Sequence, residues 1–467
     1  MSRINTNVSA LISARVLGAN NQKLNKTLER LSTGYRINGG SDDPAGLIAS
    51  ERLRGELSAI KSAMGNAERA SGIVSTAEGA LAEISDKLVE MQELIAGAAS
   101  SGGLTAEEIK ANQTQIDGII TSINRIANET SFNGDKLLDG SKGFKTTTTN
   151  AYAQNVSVNM AKGIQDADFD VDIAVATEAT QASLAVAATN TGGAENTVTY
   201  EITGYKGSAT LTFGDGATAA DISNAVMAVR DVTGVYSSGA ANLVADGYGE
   251  DYFVRVEIID GTDAGGITTG YDEGSDAVVT INGVNASVDG YQASVRTETL
   301  DISFTMTDDL VSDDTKTETI TIEKGGGATF LLSPNVGLGG QETIGINAVH
   351  AYRLGDDAIG TLADIATGKS KDLTTNAEDA QKIVAAAIEE VATMRGRLGS
   401  FLNNTVDMTI NSLGITYENV AAAESVIRDT DFAEATAELT RNQVLVQAAN
   451  SVLGIAASTP QSVLGLL

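Results

Sequence analysis

The chain has 467 residues, a formal net charge of −30 of which −22 falls in residues 146–345, no cysteine, no tryptophan and one histidine. That composition excludes a disulfide framework, cysteine-based metal or nucleophile chemistry, and the usual histidine-dependent triads and zinc sites. A surface so acidic repels phosphate and anionic lipid, so no nucleic acid and no membrane is expected as a partner, and no run of about 18 apolar residues offers a bilayer span.

Ile4, Val8, Leu11, Leu17, Leu24, Leu28 and Leu31 recur at roughly helical spacing and predict a first helix with an apolar stripe. The polar residues 1–7 lead into that helix rather than into a signal-peptide core, so no cleaved leader is expected. Asp42, Asp43 and Pro44 read as a helix start, with acid at the positive end and proline in the first turn. Residues 45–96 contain no proline, and Leu53, Ile60, Ala67, Val74, Leu81, Leu88 and Ile95 repeat every seventh position. Some fifty residues of helix would make a rod of roughly 75 Å. A Gly-Ser break at residues 100–103 ends it, and Ile109, Ile116 and Ile123, supported by Ile119 and Ile126, mark a further helix.

From residue 146 to 345 the texture changes to threonine-rich, β-branched runs with glycine turns. Leu300, Ile302, Phe304 and Met306 alternate with polar residues, as do Val254, Val256 and Ile258. Asn282-Gly283 predicts a hairpin turn, and Thr218 with Asp221 a capping box before Ile222, Val226 and Val229. Two or so small β-rich modules are expected. Helical spacing returns near Ala377 with Val384, Ile388, Val391 and Leu398, then Val406, Leu413, Val420 and Ile427. In the last helix Leu439, Val446 and Leu453 stand seven apart, as do Ala435, Asn442, Ala449 and Ala456, and Pro460 is expected to stop it at Thr459.

The fold class is therefore mainly α terminal regions, folded back into a long antiparallel, coiled-coil-like bundle, with a central β-rich (α+β) insert. The stripes at Ile4, Val8, Leu11, Leu17, Leu24, Leu28 and Leu31 and at Leu439, Val446 and Leu453 need partners. Burying each large side chain is worth roughly 1.5–3 kcal/mol, so a row left in water is a liability. Both ends are expected to meet helices of other subunits, and in a solitary chain the Leu439–Val446–Leu453 face is expected to meet water.

Candidate chemistry is thin. His350 is expected to be a packing or surface residue, and one histidine cannot build an H-E-x-x-H zinc helix. Gly368-Lys369-Ser370 resembles the end of a phosphate loop, but the earlier glycine would fall at Ala363. Asp166, Asp168, Asp170 and Asp172 alternate and share one face of a strand. Without the glycine and glutamate of an EF-hand loop they read as a solvated acidic edge that discourages strand-to-strand aggregation. No catalytic, cofactor-binding or metal-ligating residue is assigned, and no enzyme activity is expected.

The runs Ser2-Arg3-Ile4-Asn5-Thr6-Asn7, Arg30-Leu31-Ser32-Thr33-Gly34-Tyr35-Arg36-Ile37-Asn38 and Asp42-Asp43-Pro44-Ala45-Gly46-Leu47 resemble the N-terminal signature of bacterial flagellins. The runs Ile427-Arg428-Asp429-Thr430-Asp431-Phe432-Ala433, Leu439-Thr440, Gln443-Val444-Leu445 and Pro460-Gln461-Ser462-Val463-Leu464 are similar to flagellin C-termini. The resemblance covers about residues 1–145 and 350–467. It implies a subunit that polymerises, as a homo-oligomer, into the extracellular flagellar filament. Residues 1–44 plus 424–467 would form an inner coiled-coil polymerisation domain, 45–145 plus 346–423 a helical rod domain, and 146–345 a variable surface insert. Asp42, Asp43 and Pro44 would form the joint between inner and outer helices. The implied partners are a flagellar export chaperone, a type III export apparatus, and the filament cap and hook-associated proteins. Glu90 and Gln92 stand where flagellins detected by the innate flagellin receptor carry arginines, which argues against recognition by that receptor. Two other readings share these features: the hook–filament junction protein, and an adhesin or glycan-binding module on a helical stalk. The insert is large enough for the second, although no aromatic cluster in the sequence marks a sugar site.

Overall fold

The structure, a computed structural model, describes residues 6–99, 105–163, 167–186, 197–214, 216–239, 242–261, 267–356 and 359–464. Its contacts divide it into two compact units, one of residues 1–69, 331–336 and 403–467, the other of residues 70–330 and 337–402.

The first unit holds both chain ends. Helix α1 (Val8–Thr33) starts at Asn7, whose Oδ1 accepts the Ala10 N–H at 3.1 Å. It ends at Gly34 in the left-handed conformation (φ +77°), whose N–H closes on the Arg30 carbonyl at 2.9 Å. Helix α2 (Pro44–Ala99) is the long element expected from the heptads, with its one proline at the first helical position. Its expected row is buried from Ile60 onward, with Leu53 half-buried. A second row at Ala63, Ala70, Ala77, Ile84, Met91 and Ala98 is buried as well, completing a 3-4 repeat that seats one helix against another. Within the first unit Ile60 and Ala63 pack on Leu413, with Met64 and Val420 alongside.

In the second unit the later part of α2 shares one core with α3 (Ala106–Glu129) and, after the insert, with Ala377–Phe401. Ile116, Ile123, Val384, Val391 and Leu398 are all buried there. Thr105 and Glu108 form a capping box at the start of α3. His350 belongs to this region: it is buried, with Nε2 3.2 Å from Asn128 Oδ1 and its ring stacked on Tyr352, so it is a packing residue.

The insert builds two β cores. In the first, a sheet ordered Val284–Asn285, Val278–Ile281, Phe169–Thr177, Thr317–Ile322, Thr146–Thr148 shares its apolar face with a sheet ordered Ser287–Asp289, Gln292–Arg296, Leu300–Met306, Ala153–Ala161. Asn282 (φ +50°) and Gly283 (φ +76°) make the expected hairpin turn, which needs two left-handed residues. In the second core, helix α4 (Ala219–Ala228), opened by the Thr218–Asp221 capping box, lays Ile222 and Val226 on strands Val198–Gly204, Gly207–Phe213 and Phe253–Asp260. One-turn helices α5 (Arg230–Thr233) and α6 (Asp308–Val311) complete the modules.

The acidic strand departs from expectation. Phe169–Thr177 lies at the centre of its sheet, not at an edge. Asp168, Asp170 and Asp172 are exposed, but they accept from the Lys324 N–H and the Thr321 and Thr319 hydroxyls at 2.8–3.0 Å. They decorate the solvent face of a paired strand, and the alternation alone could not tell centre from edge; Asp166 lies outside the described residues. Among the described residues no group of His, Asp or Glu converges as metal ligands.

Returning to helix, α7 (Ala377–Phe401) runs through a π-helical segment (Leu402–Asp407) into α8 (Met408–Arg428). The cause is visible in the spacing. Val384, Val391 and Leu398 stand seven apart, as do Val406 and Leu413, but Leu398 and Val406 are eight apart. A π turn absorbs the extra residue, so both rows stay buried. Helix α9 (Phe432–Leu464) corrects the expected stop at Thr459, because it continues through Pro460. Proline has no N–H to give the carbonyl four residues back. That carbonyl, of Ala456, accepts instead from the Asn7 side-chain Nδ2 at 2.7 Å. No helix among the described residues is long and apolar enough to cross a membrane.

One buried carboxylate ties the first β core together. Glu318 is 1% exposed; its Oε1 accepts from the Thr149 and Asn150 N–H groups (2.7 and 2.9 Å) and its Oε2 from Tyr152 N–H (2.7 Å). Glu318→Gln replaces one acceptor oxygen by a donor facing a donor. A hydrogen bond to a charged group contributes about 1.5–3 kcal/mol, so the variant should lose roughly that much stability in denaturant unfolding. A midpoint unchanged from the parent chain would show that these contacts contribute nothing net.

Candidate assembly surface at the paired termini

Helices α1 and α9 pack side by side. On α9 the row Ala435, Leu439, Asn442, Val446, Ala449, Leu453, Ala456 follows a strict 4-3 alternation, and each member is buried or half-buried. On α1 the matching row is Ala10, Ser13, Leu17, Asn20, Leu24, Thr27, Leu31, with Thr27 only 4% exposed. Polar members of the seam pair across it: Asn442 Nδ2 donates to Thr27 Oγ1 at 3.0 Å, and Asn20 Nδ2 to the Leu445 carbonyl at 3.4 Å. Such polar positions set register, because any slip would leave them unpaired.

This places the sequence-predicted residues in two groups. Leu17, Leu24, Leu31, Leu439, Val446 and Leu453 are half-buried in the seam within the chain. The expectation that the Leu439–Val446–Leu453 face meets water in a solitary subunit is thereby corrected, since α1 supplies its partner. Val8, Leu11 and Leu28 are exposed, and Ile4 lies outside the described residues. Sequence reading missed the companions of that exposed group: Ile12 and Val16 on α1, and Val444, Leu445, Val452 and Ile455 on α9. They lie off the long seam rows; Leu445 and Val452 do stand seven apart, but Glu438 and Thr459 on either side break the run, so periodicity did not single them out. Ile12, Val16, Leu445, Ala448 and Val452 line an apolar groove of about 350 Å³ along the pair.

The predicted joint is built from both strands of chain that leave the pair. Tyr35 bridges Asp429 in antiparallel fashion, Arg36 N–H donates to the Arg428 carbonyl at 2.7 Å, and Thr430 N–H donates to the Gly34 carbonyl at 2.9 Å. The Arg428 guanidinium lies 4.7 Å from the centre of the Tyr35 ring and reaches Glu51 at 3.1 Å. Asp42 Oδ1 meets Lys26 Nζ at 2.8 Å while its Oδ2 accepts from the Asn38 and Gly39 N–H groups. Lys26 above all, with those two N–H groups, holds the Asp42 carboxyl below the usual carboxylate range against the opposing effect of burial. Asp43 caps α2 by accepting the Gly46 N–H at 2.9 Å, and Pro44 takes the first helical position. Gly46 leaves room for this cap, because a Cβ there would fall 2.5 Å from Asp43 Oδ2 and 2.7 Å from Ile37 Cδ1 and both side chains would have to shift.

Family models of the bacterial flagellin N-terminal helical region and of the bacterial flagellin C-terminal helical region match residues 4–143 and 381–467. Relatives are similar over nearly the whole chain. A flagellin of Clostridium tyrobutyricum is 28% identical over 96% of this chain and 97% of its own length. Flagellin B of Vibrio cholerae is 29% identical over 99% of both chains, and polar flagellin C of Vibrio parahaemolyticus matches at the same identity and coverage. With its matched N- and C-terminal helical regions paired in the structure and a strand-rich insert between them, the chain belongs to the bacterial flagellin family.

Proposed function

We propose that this chain is a structural subunit of a flagellar filament, and that subunit addition buries the outward apolar face of the α1–α9 pair. The observation that carries this reading is the set of exposed apolar side chains Val8, Leu11, Ile12, Val16, Leu28, Val444, Leu445, Val452 and Ile455, of which Ile12, Val16, Leu445 and Val452 share one groove along the pair. Large apolar side chains gathered on one face are a liability in solution and a source of stability once a neighbour covers them. The seam residues Leu17, Leu24, Leu31, Leu439, Val446 and Leu453 present those side chains by holding the two helices in register. Further copies of the chain are the primary partner, in the extracellular filament. An export chaperone, the type III export apparatus, and the cap and hook-associated proteins are the others we infer. The same reading divides the chain into an inner polymerisation domain (1–44 with 424–467), a helical rod domain (45–145 with 346–423) and a surface insert (146–345). Asp42, Asp43 and Pro44 would fix the direction in which the helix pair leaves the rest of the chain.

Val452 lines the groove yet is 54% exposed, so an aspartate there stays hydrated in the monomer. In the polymer it would be an unpaired charge in a packed apolar layer, at a cost of several kcal/mol per subunit. Val452→Asp should therefore give folded monomer that fails to elongate filaments by sedimentation and electron microscopy. Val446→Asp should in addition loosen the α1–α9 pair, seen as faster amide exchange in both helices. Normal filaments from Val452→Asp would remove this face from the interface.

The joint carries a pH signature. Because the folded Asp42 carboxyl titrates lower than in the unfolded chain, its contribution is complete above the ordinary carboxylate pKa of about 4 and is lost as pH falls through the lowered value. Protection of the Asn38 and Gly39 amides should fall across that window. In Asp42→Asn the dependence should vanish. An unaltered profile in the variant would assign the acid response to another group.

A further inference from the structure

The strand register brings together an aromatic and polar cleft that no stretch of sequence displays. The sheet ordered Gly270–Glu273, Phe253–Asp260, Val198–Gly204, Gly207–Phe213 buries Ile202, Val254 and Val256 against α4. Strand alternation then turns Thr203, Phe253, Arg255 and Glu257 to the opposite face, where they line an open cleft of about 960 Å³ with Thr269 and Tyr271. Tyr271, Arg255 and Thr203 lie directly abreast on neighbouring strands.

Tyr271 is 56% exposed, yet its ring is held in place. Its O–H donates to Glu273 Oε2 at 2.8 Å, and the Phe253 ring lies 5.7 Å away at a 35° tilt. Arg255 Nε donates to Glu257 Oε1 at 3.1 Å, and Nη2 bonds the same oxygen. That leaves the second carboxylate oxygen and the remaining guanidinium N–H groups to meet a ligand. A fixed exposed ring beside a charged donor and acceptor pair is the arrangement that grips a molecule with an apolar C–H face and hydroxyls around its edge.

We propose that this cleft binds a neutral oligosaccharide. Charge narrows the ligand class from both sides. Glu201, Glu257 and Glu273 around the cleft repel sulfated or sialylated sugars. The Arg255 guanidinium, directly opposite Tyr271, repels a cation from the ring face on which it would otherwise settle. A pyranose stacked on Tyr271, with adjacent hydroxyls donating to Glu257 and accepting from Arg255, satisfies both.

The test uses the full chain and four probes in isothermal titration calorimetry: cellotriose, chitotriose, 3′-sialyllactose and trilysine. At least one neutral trisaccharide should bind, with the sialylated sugar and trilysine weaker. Tyr271→Ala should weaken binding by more than about tenfold, whereas Tyr271→Phe, which keeps the ring, should stay within a few-fold. Circular dichroism of each variant establishes that the sheet is intact. Absence of binding by both neutral sugars, equal binding by Tyr271→Ala, or binding of trilysine or 3′-sialyllactose alone would overturn the proposal.

Discussion

Everything at the chain ends depends on one seam between helices that lie more than 400 residues apart in sequence. Its fully buried members are small: Thr27, Ala435, Ala449 and Ala456. Small residues let the helix axes approach, and they add little apolar area of their own. The large side chains at Leu17, Leu24, Val446 and Leu453 are only half covered, and a further apolar set stands outside. A two-helix pair of this kind gains register from its asparagine and threonine hydrogen bonds more than stability from its burial. The contrast with the second unit is sharp, where Leu81, Leu88, Ile116 and Ile123 are wholly enclosed by three helices.

The helical frame was legible because its signals are long. Seven heptad hits between Leu53 and Ile95 fix α2, and Asp43-Pro44 fixes its start. The interruption at Leu402–Asp407 was also written in the spacing, as eight residues between Leu398 and Val406 among sevens, although only the π turn shows what the extra residue does. The turn at Asn282-Gly283 and the capping box at Thr218 and Asp221 were readable because each rests on local backbone chemistry.

What escaped the sequence was what distant strands and helices decide. Periodicity identified a stripe on α9 but could not say whether α1 or a neighbouring subunit faces it. Alternation placed Asp168, Asp170 and Asp172 on one face but not in the middle of a sheet. The neighbourhood of Phe253 and Tyr271 exists only through the pairing of two strands, so aromatic scarcity in the composition concealed a local concentration. Pro460 was read by its usual effect on a helix, and the compensating donor, Asn7, sits at the other end of the chain.

That last contact has a kinetic consequence. The Asn7 amide uses one atom to start α1 and the other to reach the Ala456 carbonyl in the last turns of α9. Closing a contact across 449 residues carries a loop-entropy cost that falls as the intervening elements fold and shorten the path. The latch therefore couples the two ends: shut, it ties the first turn of α1 to the last turns of α9, and open, it exposes both together.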